Sequence, residues 1–191
     1  MSRYIDHAFI EAREGGLELA GYVPVSKKSL SGVTIGCGVD LGQRDEDELR
    51  RWGCSAALVE QLRPYLGLKK EVAEAALEIA PLKVTEEDAR FLSIAARMSI
   101  TEALASFYER DAGGSFFDLP AAAQTVIASI AYQYGPNLHL PASEGGAPKF
   151  WGAACRMDWP GMEAELRDFG DVYKTRRVIE ADYLKAGLTA D

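Results

Sequence analysis

The stretch that decides the fold is Gly32-Val33-Thr34-Ile35-Gly36-Cys37-Gly38-Val39-Asp40-Leu41-Gly42. Val33 and Ile35 alternate with Thr34, so a strand here turns two apolar side chains one way and one hydroxyl the other. The spaced glycines let the backbone turn sharply and let a bulky ligand come close. Upstream, Leu17, Leu19 and Ala20 lead into Gly21-Tyr22-Val23-Pro24, and the mostly polar residues 26–31 join the two parts. Residues 17–42 are therefore expected to form a small antiparallel sheet with tight turns.

On either side of this stretch the period becomes helical. Residues 4–13 place Ile5, Ala8, Phe9 and Ala12 at helical spacing and stop at Glu14-Gly15-Gly16, where glycine suits a left-handed cap. From Asp45 onward helices follow one another. Asp45 with Glu48 makes a capping pair and Gly53 a stop, and Ser55 caps a helix carrying Leu58, Val59 and Leu62. A third runs over Val72, Ala73, Ala76 and Leu77. Thr85 with Asp88 opens a long helix reaching to Tyr108, with Phe91, Ile94, Ala95 and Met98 on one face. Pro120 starts the most apolar helix, residues 121–134, whose all-round apolar character suits the centre of a helical lobe. Helices over residues 150–157, 160–169 and 172–185 complete the chain. The expected class is α+β, mostly helical.

The chain has 191 residues, 48% hydrophobic and 26% charged, enough for one compact domain or two small lobes sharing a helix. No apolar run approaches the roughly 20 residues needed to span a bilayer. The first residues are charged early and carry no apolar signal segment, so synthesis in the cytoplasm without a signal peptide is expected. A net charge of −8, with basic pairs only at Lys27-Lys28, Lys69-Lys70 and Arg176-Arg177, argues against a nucleic-acid partner. Cys37, Cys54 and Cys155 lack Cys-x-x-Cys spacing and read as neutral free thiols. His7 and His139 lie far apart and fit no metal-ligand pattern; neither metal nor cofactor is expected.

Two carboxyl groups stand out. Glu14 sits at the end of the first predicted helix, where the backbone dipole favours the protonated form that a general acid requires. It reads equally as a surface glutamate before a glycine cap. Glu11, one turn back, and Glu18, beyond the double glycine, compete with it. Asp40 follows where the strand returns, and reads equally as an Asx-turn or helix-entry residue.

Together these residues resemble the T-even phage lysozymes and, more closely, the pesticin-type muramidases. The likeness starts at Glu14-Gly15 and runs through Gly21-Tyr22-Val23-Pro24 and Ser31 to Gly42. Thr85-Glu86-Glu87-Asp88-Ala89 is similar to the start of that family's long helix. Ala131-Tyr132-Gln133-Tyr134-Gly135 is similar to the end of its central helix, and Lys174-Thr175-Arg176-Arg177-Val178-Ile179 to its final basic helix. Nearly the whole chain is covered, in order.

The resemblance implies a single lysozyme-like muramidase domain. It has a small N-terminal β-sheet lobe, about residues 1–84, a larger C-terminal helical lobe, about residues 85–191, and an active-site cleft between them. It implies that Glu14 protonates the leaving glycosidic oxygen, that Asp40 is the second carboxylate and that Thr34 holds the attacking water. Gln133 and Tyr22 would line the sugar cleft, and Arg177, or its helical neighbour Lys174, would stand near Glu14. Phage lysozymes of this kind invert configuration, which sets the carboxylates about 6.5–9.5 Å apart. In the T-even pattern, however, the aspartate precedes the threonine strand and a histidine follows the second glycine. Here residues 21–33 contain no acid and Val39 stands at the histidine position. Asp40, six residues after Thr34, follows the pesticin-type arrangement.

The implied reaction is hydrolysis of the β-1,4 bond between N-acetylmuramic acid and N-acetylglucosamine, by a monomer acting on peptidoglycan strands. Two settings suit it, both ending in the periplasm or at the cell wall: a phage endolysin released with a holin, and an injected antibacterial effector with an immunity protein. A lytic transglycosylase and a non-catalytic glycan-binding protein on the same fold are the alternatives.

Overall fold

The computed structural model describes residues 5–24 and 31–189. The polar connection expected at residues 26–31 lies outside them except for Ser31. By its internal contacts the chain forms two compact units, Glu14–Ala96 and Met1–Arg13 with Arg97–Asp191. The first helix thus groups with the C-terminal residues, and the division between the two units falls inside the long helix.

In the unit of residues 14–96, β1 (Glu18–Tyr22), β2 (Thr34–Gly36) and β3 (Val39–Asp40) form an antiparallel sheet in sequence order. Ile35 pairs with Val39, leaving Gly36-Cys37-Gly38 as a three-residue turn. Gly36 and Gly38 have φ of +61° and +81°, a region that only glycine enters without strain. Gly36 is also pressed against a helix: a Cβ there would lie 2.6 Å from Ser93 Oγ and 2.9 Å from the Ala89 carbonyl oxygen. Gly32 and Gly42 meet back to back, and a Cβ on Gly32 would lie 2.1 Å from the Leu68 carbonyl oxygen and 2.6 Å from Gly42 Cα. The close approach expected of a ligand at these two glycines is made by the chain itself.

Three short or medium α-helices follow the sheet and then one long one. Asp45 accepts from Glu48 N at 2.7 Å and caps α2 (Glu46–Trp52), which Gly53 ends at φ +89°. Ser55 accepts from Leu58 N and caps α3 (Ala56–Leu62). After α4 (Lys70–Ile79), Thr85 caps α5 (Glu86–Ala112), accepting from Asp88 N while its hydroxyl donates to Asp88 Oδ2 at 2.6 Å. The core of this unit joins Val33, Ile35, Val39 and Leu41 to Leu49, Leu58, Val59, Leu62, Leu82, Val84 and Leu92. Each such side chain, removed from water, contributes about 1.5–3 kcal/mol.

Helix α5 departs from expectation in one respect. Of the face formed by Phe91, Ile94, Ala95 and Met98, only Ala95 is buried; the others are 38–43% exposed. The helix gives Ala89, Leu92 and Ala96 to one core and Leu104 and Tyr108 to the other. A helix serving two cores has no single apolar stripe, so one-face periodicity selects the wrong side.

The second unit is helical: α1 (His7–Glu11), the later part of α5, α6 (Ala121–Tyr134), α7 (Pro148–Cys155), α8 (Trp159–Arg167) and α9 (Lys174–Leu188). Helix α6 is its centre, buried without interruption from Ala122 to Ala131. The polar side chains of this buried stretch are all hydrogen-bonded. Gln124 donates to the Leu119 carbonyl at 2.8 Å, Thr125 to the Ala121 carbonyl, and Ser129 to Glu180. Thr125 also accepts from Asp6 N, and Asp6 caps α1 by accepting from Phe9 N. Among the described residues no helix is long and apolar enough to cross a membrane.

Candidate active site

The register of the sheet builds the first part of the site. Tyr22 on β1 is opposite Thr34 on β2, and Thr34 is opposite Asp40 on β3. Directly opposed residues present their side chains to the same face, with Cβ atoms about 4.5–5.5 Å apart. A phenol, a hydroxyl and a carboxylate therefore form one row across three strands. Tyr22 is 40% exposed; partial burial, and then the Glu18 carboxylate, raise its phenol above the ordinary value, so it stays a hydrogen-bond donor. Thr34 is 4% exposed, and its hydroxyl donates to the Gly32 carbonyl at 3.3 Å. That long bond leaves the lone pairs of Oγ1 for another partner.

Asp40 does two things. Its Oδ1 accepts from Gly32 N at 2.9 Å and from Gly42 N at 2.8 Å, so it is the Asx-type residue that caps the short 3-10 turn Leu41–Gln43. The same bonds clamp the two glycines that pack back to back. Both donors fall on Oδ1, and among the described residues none donates to Oδ2. A carboxylate fixed through one oxygen presents the other in a defined direction.

The turn at Gly36-Cys37-Gly38 is held by Ser93 on α5. Ser93 Oγ accepts from Cys37 N at 2.9 Å and donates to the Ala89 carbonyl at 2.7 Å. Sequence reading passed over Ser93; its one available signal is a buried-side serine in mid-helix, where its hydroxyl has only the carbonyl four residues back for a local partner.

Glu14 opens the same unit, partly exposed and in a bend. Helix α1 ends earlier than the periodicity suggests, at Glu11, followed by a turn in which Ala12 N donates to Ala8 O and Arg13 N to Ile10 O. Of its competitors, Glu11 is paired with the buried Arg97 at 2.5 Å, and Glu18 lies exposed on β1.

Gln133 and Arg177 come together in the helical unit. Arg177, 1% exposed, donates Nη2 to Gln133 Oε1 at 2.6 Å, Nε to Asp171 Oδ2 at 2.8 Å and Nη1 to Glu180 Oε2 at 2.5 Å. Its guanidinium lies 4.6 Å from the Phe169 ring centroid and 5.6 Å from that of Tyr134. Glu180, fully buried, also accepts from Ser129 Oγ and Arg176 Nε. Arg176 reaches the carbonyl of Arg13, the residue before Glu14, at 3.2 Å. Burial works against the charged form of Asp171, but hydrogen bonds from Tyr134 and Arg177 outweigh it and hold its carboxyl below the usual range. Asp171 and Glu180 were not singled out in the sequence, and Arg176 was read only as part of a basic pair: the spacing of Arg176 and Arg177 to Glu180 on α9 reads as an ordinary surface ion pair,, and the groups that bury it, Ser129 and Gln133, lie on α6.

Lys174 starts α9 and is exposed. Burial pushes the Cys155 thiol up to about 11 and raises that of Cys54, in keeping with neutral thiols. Among the described residues no group of three His, Cys, Asp or Glu side chains is placed to hold a metal ion. A cavity of about 360 Å³ opens against α7 and α8, lined by Lys149, Arg156, Asp158 and Glu165 among others, and touches none of the candidate residues.

Across residues 4–160 the chain matches the family model of pesticin, a bacterial toxin homologue of phage lysozyme, in its C-terminal part. The chain belongs to the pesticin family. Among curated proteins none matches it. As a pesticin-family chain it has the lysozyme-like α+β fold, a small antiparallel sheet followed by helices, and is a glycoside hydrolase in kind. The match spans Glu14, Tyr22, Thr34, Asp40 and Gln133. It ends before α9, so Arg176, Arg177 and Glu180 rest on the geometry of this pesticin-family chain alone.

Proposed function

We propose that the protein is a muramidase that hydrolyses the β-1,4 bond between N-acetylmuramic acid and N-acetylglucosamine in peptidoglycan. Glu14 acts as the general acid toward the leaving oxygen. Asp40, through Oδ2, and Thr34, through Oγ1, hold the attacking water, which gives inversion in a single displacement. Tyr22 extends the row with an aromatic face and a phenolic donor suited to a sugar ring. The observation that carries this reading is the pairing of Thr34 with Asp40 directly across β2 and β3. It puts a neutral oxygen and an anionic one on one face, as a water-positioning pair requires. Whether the chain reaches its substrate as a phage endolysin or as an antibacterial effector, the chemistry is the same.

Digestion of purified sacculi tests the reading. New reducing sugar ends should accumulate with loss of turbidity, while free amino groups stay constant. Release of amino groups without reducing ends would mark a peptide-bond or amide cleaver and end the proposal.

A further inference from the structure

Helices α7 and α8, with their caps, carry two charged rows of opposite sign. Lys149, Gly152 and Arg156 recur at i, i+3 and i+7, and Asp158, Gly161 and Glu165 repeat the spacing. Each trio therefore falls on one helix face, and all six line the cavity of about 360 Å³. The whole arrangement lies within one compact unit.

The turn between the helices separates the signs. Asp158 N donates to the Ala153 carbonyl at 2.9 Å and Met157 N to that of Ala154 at 3.0 Å, the paired bonds that close a helix on a left-handed residue. Met157 is that residue, at φ +53°, where glycine is usual and a side chain is strained. The cations precede it and the acids follow it.

These opposite charges do not neutralise one another directly. Among the described residues none of Lys149, Arg156, Asp158 and Glu165 forms an ion pair. Asp158 Oδ1 caps α8 by accepting from Gly161 N at 3.0 Å; the other charged groups have no hydrogen-bond partner among the described residues. The glycines give the heads room. A Cβ on Gly161 would lie 2.2 Å from Asp158 Oδ2, and one on Gly152 would lie 3.3 Å from Arg156 Nη1. Ala153 is buried, while Lys149, Arg156 and Asp158 reach solvent.

A ligand with a single charge is repelled by one of the two rows. A small molecule with both an ammonium and a carboxylate answers both. Lys149 and Arg156 suit the carboxylate, Arg156 through its planar fork, and Asp158 and Glu165 suit the ammonium. Two cations and two acids leave no net charge, so selection comes from arrangement and not from long-range attraction. The volume lies at the small end of the roughly 300–1,000 Å³ of ligand pockets, which fits an amino acid better than a polymer.

We propose that the cavity of α7 and α8 binds the zwitterionic centre of an amino acid. Two sources present such a centre: a free amino acid, and a diamino acid joined to a peptide through only one of its two centres. No residue of the Tyr22, Thr34 and Asp40 row takes part, so the inference stands apart from the muramidase reading.

Titration of the intact, isotope-labelled protein with meso-diaminopimelate, followed by amide NMR, tests it. The Gly152 and Gly161 amides should shift together and saturate with a Kd of about 1 mM or tighter. The diacetyl derivative keeps only the carboxylates and the diamide only the ammonium groups. Each should bind at least about tenfold more weakly, the loss expected for a hydrogen bond between charged groups. A short peptide holding diaminopimelate through one centre separates the sources: similar affinity admits peptide-borne centres, and much weaker affinity restricts the site to the free amino acid. Arg156→Gln and Glu165→Gln should each weaken binding about tenfold, with unmoved amides elsewhere confirming the fold. Gly161→Ala keeps every charge but displaces the Asp158 carboxylate, and should weaken binding as well. No saturable shift at these amides, equal binding of the diacetyl derivative or the diamide, or wild-type affinity in both Gln variants would overturn the proposal.

Discussion

Glu14→Gln is expected to lower kcat on peptidoglycan by roughly 10²–10⁴-fold, the usual contribution of a general acid, while the fold is retained. The substitution is isosteric and lies in a partly exposed bend, so the unfolding free energy should move by no more than about 1 kcal/mol. KM should stay near the wild-type value, because protonation of the leaving oxygen matters in the transition state rather than in binding. The same change at the neighbouring acids separates chemistry from structure. Glu11→Gln removes an ion pair with Arg97 and is expected to show in stability rather than turnover. Glu18→Gln, on the exposed strand, should do little to either. Turbidity clearance and reducing-end release with the three variants side by side make the comparison. Full activity in Glu14→Gln would reassign the acid.

Glu180→Ala should be the most destabilising single change at the buried charge cluster. Glu180 is fully buried and neutralises both Arg176 and Arg177. Among the described residues its truncation leaves Arg177 paired with Asp171 and Arg176 with no ion-pair partner, and also strips Ser129 of its acceptor. Removing one partner of a buried pair costs about 3–5 kcal/mol, equivalent to a fall in Tm of roughly 10 °C for a chain of this size. Trp151 and Trp159 lie in this unit and report its unfolding by fluorescence in urea. A loss below about 1 kcal/mol would mean that the network is solvated rather than buried.

How far the sequence could be read depended on the kind of interaction. Local signals worked: Asp45 with Glu48, Ser55, Thr85 with Asp88 and Pro120 each mark a helix start found in the structure, since a cap is made by neighbours in the chain. The alternation at Val33-Thr34-Ile35 likewise gave the sheet. What the sequence could not carry was register. The opposition of Tyr22, Thr34 and Asp40 depends on how three strands slide past one another; the Gly36-Cys37-Gly38 turn and its Ser93 clamp set Thr34 against Asp40, while the register of β1 on β2 shifts between Glu18 and Tyr22. The two readings of Asp40, as an Asx-type residue and as a site carboxylate, proved compatible, because one oxygen serves the backbone and the other does not. Arg177 shows the opposite limit. A basic residue on a final helix reads as a solvated or substrate-facing charge, yet here it is 1% exposed, for reasons that lie on α6 and in the loop before α9.

The stereochemistry of the first product tests the central claim most directly. Proton NMR of the new muramic reducing end, recorded in the earliest minutes before mutarotation, should show the α-anomer, as a single displacement by a water held between Asp40 and Thr34 requires. The β-anomer would mean a covalent intermediate, and 1,6-anhydro ends would mean that no water attacks at all; either contradicts the account.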